Sequence, residues 1–165
     1  MPCACQVPVP QYPETADWGP ILWTILHGLA EKSGAADLPA DEIREWIKFI
    51  KSTGEMLPCD HCRAHYSAFF TANPPSQLSS IPYSDVKRWV RSWFFTLHNE
   101  VNADNHKPLF QYENLSSAYG SVSFTDNYQR LEPVIKRAIQ LNGVSFLKWT
   151  SWVHSFKMLR SILAV

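Results

Sequence analysis

Two cysteines three residues apart, Cys59 and Cys62 in "LPCDHC", are the residues of this chain best suited to covalent chemistry. Cys3 and Cys5 in "PCAC" complete a set of four. In the first turn of a helix, free backbone amides and the helix dipole stabilise a thiolate. A pair at i and i+3 there becomes a good attacking and leaving group in thiol–disulfide exchange. Two other chemistries compete: zinc ligation with His98 and His106 or with His61 and His65, and an inert pair. Structural zinc takes a second half-site with ligands about three to five residues apart, and His98 to His106 is wider than that. No second CxxC is present, and no strand precedes Cys59 as it would in a thioredoxin setting. Exchange is therefore the favoured reading, no metal centre is expected, and a zinc-binding interaction module is the competitor.

The second pair adds to this. Residues 1–17 hold four prolines and no periodic pattern, which predicts an extended, flexible arm of polyproline character. A CxC on such an arm can form a strained, easily reduced disulfide and carry it between a partner's thiols and a buried pair.

A disulfide that oxidises substrates needs an acceptor for two electrons. Trp23 and His27 lie at i and i+4 on one helix face, and His98, Val101 and Asn102 share another. Singly, each reads as core or as a polar helix residue. Together the two faces could enclose a flat aromatic ligand.

Helices must position these groups. Asp17 is a plausible N-cap for a first helix over about residues 18–33, with Gly34 as its stop. Asp41 can cap a second, in which Ile43, Trp46, Ile47 and Ile50 recur on one buried face, and Gly54 ends it. A third runs from Cys59 to about Ala72. Ser84 or Asp85 can cap a fourth, with Trp89, Trp93, Leu97 and Val101 on one stripe, ending before Pro108. Residues 109–124 read as a loop. Two further helical patterns follow, with Pro133 either kinking the first or standing at its N1 position. In the second, Trp149, Trp152, Phe156 and Leu159 form an apolar stripe expected to pack on the bundle. No alternating strand is found, so the fold class is all-α, a helical bundle.

Composition narrows the function classes. With 15 basic and 15 acidic residues, no excess positive field draws the chain to nucleic acid. No run reaches about 18 apolar residues, so no membrane span is indicated. The N-terminus lacks the basic start and apolar middle of a secretory signal. A cytoplasmic location is expected, where a CxxC more often does redox or metal work than structural stapling.

"WGPILWTILHGLA", "LPCDHC" and "HNEVNADNHKPLF", in that order and spacing, resemble the Erv/ALR family of FAD-linked sulfhydryl oxidases, whose pattern is W-x-x-L-H, a CxxC, then H-N-x-V-N with K-P-x-F. The resemblance covers about residues 17–112 and looks closest to short members encoded by large cytoplasmic DNA viruses. It implies a four-helix core with a fifth helix, enclosing FAD, here with an additional C-terminal helix. It also implies a flexible arm over 1–17, an oxidase core over 18–112 and a helical extension over 113–165.

By the same resemblance, Cys62 would lie beside the flavin and pass electrons to it through a charge-transfer thiolate, while Cys59 would be the interchange cysteine attacked from outside. Gly19, Trp23 and His27 would belong to the flavin site, and His98 and Asn102 would contact the adenine half. Lys107 would lie near the ribose and phosphates, with Asn99, Val101 and Phe110 lining the same pocket. Cys3 and Cys5 would be shuttle cysteines, an assignment resting on the arm's chemistry rather than on a motif. Dithiol client proteins, O2 as acceptor, H2O2 as product and a homodimer complete the expectation. A viral member would act in infected-cell cytoplasm or in the virion, and the mitochondrial intermembrane space is less favoured. An inactive scaffold is the third reading.

Two departures stand out. Pro20 occupies the place where many members carry an arginine after the glycine, and the extra cysteine pair that staples the fifth helix in many members is absent.

Overall fold

The computed structural model describes residues 8–165. Among them all regular structure is helical, with seven α-helices and three short 3-10 turns, as the all-α expectation required. The α-helices are α1 (Thr15–Lys32), α2 (Pro39–Glu55), α3 (Asp60–Ala72), α4 (Val86–Asp104), α5 (Leu115–Tyr119), α6 (Phe124–Gln140) and α7 (Phe146–Leu163).

Several boundaries move from their predicted places. α1 begins three residues before residue 18 because Glu14 occupies the N-cap and Asp17 closes a capping box from the N3 position, accepting the Glu14 N–H at 2.8 Å. In α2 the N-cap is Leu38 and Pro39 stands at N1, so Asp41 serves the first turn, where its charge complements the dipole. Asp85 is the N-cap of α4. The segment expected as a loop contains α5. Pro133 is not at N1 but inside α6, which starts nine residues earlier, where the Ser123 hydroxyl accepts the Asp126 N–H.

The core is built around α1, whose Ile25 and Leu29 are fully buried and which packs on α4, α5 and α6. An aromatic chain links the other helices: Trp46 meets Phe94 of α4, and Phe49 meets Trp152 of α7. The predicted α7 stripe of Trp149, Trp152, Phe156 and Leu159 is buried. It faces α2 and also Tyr128 of α6, whose ring stacks on Trp149 and Phe156. In α2, Trp46 and Ile50 are buried, while Ile43 and Ile47 lie partly exposed at the edge of the same face.

Several buried polar groups in this core are paired across helices, which offsets their desolvation, while among the described residues the buried Trp18 indole N–H has no partner. The Trp152 indole donates to Thr53 Oγ1 at 3.0 Å, and the Ser155 hydroxyl donates to Glu45. Arg91 pairs with buried Glu31 at 2.6 Å, the Ser116 hydroxyl donates to the same carboxylate at 2.9 Å, and the Tyr112 ring lies under the guanidinium. That network ties α5 to α1 and α4. Among the described residues, no helix is long and apolar enough to cross a membrane.

Candidate active site

Cys59 and Cys62 are joined in a disulfide, with Cα atoms 5.1 Å apart. Their platform is set by the turn from α2 into α3. A Cβ at Gly54 would lie 2.3 Å from the Tyr66 ring, so the glycine allows α3 to close on α2. The Tyr66 hydroxyl then donates to Ile50 O at 2.6 Å. Met56, Leu57 and Pro58 are buried behind the cysteines, and both sulfurs pack at the rim of the core, half-buried.

Cys59 is itself the N-cap of α3, one residue outside the predicted helix start, and its Sγ accepts the Cys62 N–H at 3.1 Å. That amide, together with the helix N-terminus, stabilises negative charge on the Cys59 sulfur when the disulfide opens. His65, one turn beyond Cys62, faces Glu100 at 3.5 Å and Asp104 at 3.4 Å, which draws the cysteine face of α3 towards the end of α4.

The second cluster lies between α1, α4 and α5. Trp23 and His98 stack with ring centres 4.0 Å apart and planes within 5°. His27 Nε2 and His98 Nδ1 are 2.9 Å apart and share one proton in a hydrogen bond. On its other side His27 stacks on Tyr119 at 4.6 Å, and Tyr119 meets Phe110 at 5.8 Å.

The motif residues after His98 hold this wall in place. The Asn99 amide donates to Phe110 O at 3.0 Å and its carbonyl accepts Phe110 N–H at 2.9 Å. His106 takes a left-handed φ of 54°, and Lys107 N–H returns to Asn102 O at 2.8 Å. This turn folds residues 107–110 back along α4. Asn102 also donates weakly to Asn99, and Val101 packs on the core. Gly19 is buried one helical turn before Trp23, on the same face. A Cβ there would touch only Thr15, at 3.5 Å, so this stripe of α1 has room beside it.

The site residues thus gather as two groups. Trp23, His27, His98, Asn99, Asn102 and Phe110 form one connected wall, with Lys107 at its exposed end. Cys59 and Cys62 form the other group, at the N-terminus of α3. Cys3 and Cys5 lie outside the described residues. Tyr119 is a wall residue that the sequence reading missed because 109–124 read as a loop. The single i, i+4 pair Leu115 and Tyr119 is too short a run to show a helical period.

The zinc arrangement is not formed. Both sulfurs are committed to the disulfide, His98 bonds His27, and His65 faces two carboxylates. Among the described residues, no three His, Cys, Asp or Glu side chains converge on one point.

Both imidazoles of the wall are held neutral. Burial, and then repulsion from His98, pushes the His27 pKa down to about 3. Burial, and then the positive charge of Lys107, pushes that of His98 down to about 4. An unfolded chain, with ordinary histidines, takes up these protons first as pH falls. The stability they contribute is therefore complete above about pH 6.5 and is lost progressively towards pH 4 and 3. At pH 5 the His27 contribution alone is a loss of about 2 kcal/mol relative to neutral pH. Urea unfolding at pH 7 and pH 5 should show that drop, and His27→Gln should flatten it. Equal stability at the two pH values would contradict it.

Three curated relatives are similar to this chain. "Putative FAD-linked sulfhydryl oxidase 096R" of Invertebrate iridescent virus 3 is 33% identical over 93 residues, 55% of this chain and 57% of that one. "Putative FAD-linked sulfhydryl oxidase 347L" of Invertebrate iridescent virus 6 is 30% identical over 94 residues, 56% of this chain and 82% of that one. "Mitochondrial FAD-linked sulfhydryl oxidase erv1" of Schizosaccharomyces pombe is 25% identical over 104 residues, 63% of this chain and 54% of that one. The chain thus spans little more than half the length of two of these relatives. No solved structure matches it. The disulfide at the N-cap of α3 and the Trp–His wall between α1 and α4 accompany a match to the Erv1 / Alr family over residues 20–120. The chain belongs to that family.

Proposed function

We propose that this chain is an FAD-dependent sulfhydryl oxidase that makes disulfides in dithiol client proteins. The observation that carries the reading is the formed Cys59–Cys62 disulfide at a helix N-terminus, in a bundle that also builds a neutral, ring-stacked wall on α1 and α4. The donor set fits FAD. Parallel indole and imidazole planes suit flat rings, neutral His98 and the Asn102 amide suit ring-edge nitrogens, and Lys107 supplies a cation for phosphate. Gly19, Trp23, His27, Asn99, Val101 and Phe110 shape the same wall. Bound flavin supplies a two-electron acceptor whose reduced form is reoxidised by dioxygen, giving hydrogen peroxide.

The cysteines perform the exchange. A client thiolate attacks Cys59 Sγ, forming a mixed disulfide and releasing Cys62 as a thiolate. The second client thiol then attacks the client sulfur of that bond and releases Cys59, whose charge the Cys62 N–H accommodates. The client gains a disulfide, and Cys59 and Cys62 are left as a dithiol. Cys3 and Cys5 relay the same exchange from bulky clients. Replacing both with serine should slow oxidation of a reduced protein client at least about fivefold more than oxidation of dithiothreitol. Equal slowing of both substrates would remove the relay.

With dithiothreitol in air, two thiols should disappear for each dioxygen consumed and each peroxide formed. If neither thiol loss nor oxygen uptake occurred, that would favour the inactive scaffold. The reading includes a homodimer, which a monomeric mass in solution would overturn, and action in the cytoplasm, including that of a virus-infected cell or the virion. In domain terms it pairs the arm (1–17) and the oxidase core (18–112) with a supporting extension (113–165).

A further inference from the structure

Among the described residues, eight large apolar side chains stand exposed, and five of them belong to two segments that the fold brings together: Val9, Tyr12, Leu141, Phe146 and Leu147. Phe146 is 61% exposed and Leu147 74%. The Tyr12 hydroxyl donates to Pro58 O at 2.7 Å, and its ring lies against Gly143, where a Cβ would be 2.0 Å from the phenol oxygen. Leu141 stands two residues before that glycine, Phe146 and Leu147 three and four after it, and Val9 three before Tyr12. Along the chain, each is therefore within about 15 Å of the Tyr12–Gly143 contact.

That contact borders Cys59. Tyr12, Gly143, Pro58 and Cys59 line one open groove of about 570 Å³, whose rim is made polar by Glu14, Thr15 and Asp60. Two further ties hold the start of α7 to the cysteine turn. Arg63 donates to both Leu57 O and Gly143 O, and Lys148 pairs with Glu55 at 3.2 Å. Phe146, the first residue of α7, extends the Trp149 stripe by one turn, yet Trp149 is buried and Phe146 is left uncovered. Single exposed apolar side chains are ordinary on a protein surface, whereas a group of them beside a polar-rimmed groove marks an interaction site.

The chemistry at Cys59 says what would cover the patch. Two thiols awaiting a disulfide belong to a chain that has not yet closed that cross-link. Cysteine is among the most buried residue types, so its neighbours in a finished protein are core, and in the reduced, unfolded chain they are still exposed. A second copy of this chain is a poorer occupant, because it would close the groove through which Cys59 is reached.

Resting on the oxidase reading, we propose that Leu141, Phe146 and Leu147 form a docking surface for reduced, unfolded client segments that carry a large apolar side chain within a few residues of the cysteine. The patch holds that side chain while the groove receives the client cysteine at Cys59. Unfolded clients are thereby selected over folded dithiols. The family match ends at residue 120, so the selectivity belongs to the C-terminal part of this chain.

Two fluorescently labelled peptides test this by anisotropy on the full chain as purified, each with Ser-x-x-Ser in place of Cys-x-x-Cys so that no exchange occurs. One carries leucine and phenylalanine beside the pair, and the other carries serine there at equal charge. The apolar peptide should bind at least about fivefold more tightly. Phe146→Ser combined with Leu147→Ser should cut that advantage below about twofold, with helicity unchanged by circular dichroism. Should the double variant lose helicity, Leu147→Ser alone replaces it and should about halve the advantage. Equal binding of the two peptides by the parent chain, or an advantage that survives the substitutions, would overturn the proposal. So would a fall from dimer to monomer mass in the double variant, which would make a second copy the occupant. Binding is read without flavin or turnover, so failure here and failure of the oxidase reading are separate results.

Discussion

Replacing Cys62 with serine is expected to abolish turnover with any dithiol, lowering the rate at least roughly 1,000-fold. Without Cys62 the Cys59 sulfur has no disulfide for a substrate thiolate to open, so the substrate dithiol has nothing to exchange with. The fold should survive. The disulfide closes a sequence separation of three residues, and so short a loop contributes little chain entropy. The structural ties of this region lie elsewhere, in Tyr66 to Ile50 and Arg63 to Leu57 and Gly143. Circular dichroism and dithiothreitol oxidation measured on the same sample check both halves. Unchanged helicity with lost turnover is the expected pair, whereas retained turnover would remove Cys62 from the reaction.

Trp152→Ala should be the most damaging single change to stability. The side chain is fully buried, stacks on Trp149 and Phe156, tilts against Phe49 and donates to Thr53. Truncating such a residue costs about 3–5 kcal/mol from lost transfer and the cavity left behind. For a chain of this size that lowers the unfolding midpoint by roughly 6–20 °C. The loss would be felt at the candidate active site, because Thr53 stands in the last turn of α2, just before the segment that leads to Cys59. α7 therefore supports the cysteine platform. A variant melting within about 2 °C of the parent would make α7 a peripheral addition.

The helices and the two reactive blocks were legible in the sequence because each carries a periodic signal. The α2 face, the α4 stripe and the α7 stripe repeat at helical spacing, and LPCDHC stands after a buried turn. Helix starts were less legible. Asp17 and Asp41 have the side chains of caps, yet Glu14 and the Pro39 N1 position set the boundaries, since reciprocal bonding and fixed φ outweigh a single favourable residue type. α5 was missed because five residues give no period to read. With it went Tyr119, which lies against His27 only because the Glu31, Arg91 and Ser116 network holds that segment to α1 and α4. Tyr12 was illegible for a different reason. Its partners Pro58 and Gly143 are 46 and 131 residues away, and only the tertiary fold makes them neighbours.

The central claim is that Cys59 and Cys62 pass electrons from thiols to a flavin held by the α1 and α4 wall. The most direct test is an absorption spectrum of the purified protein before and after dithiothreitol is added in air, with oxygen uptake followed in the same cuvette. The account predicts a yellow protein whose flavin bands bleach and then recover as oxygen is consumed. A colourless protein that still fails to take up oxygen when FAD is supplied would contradict it.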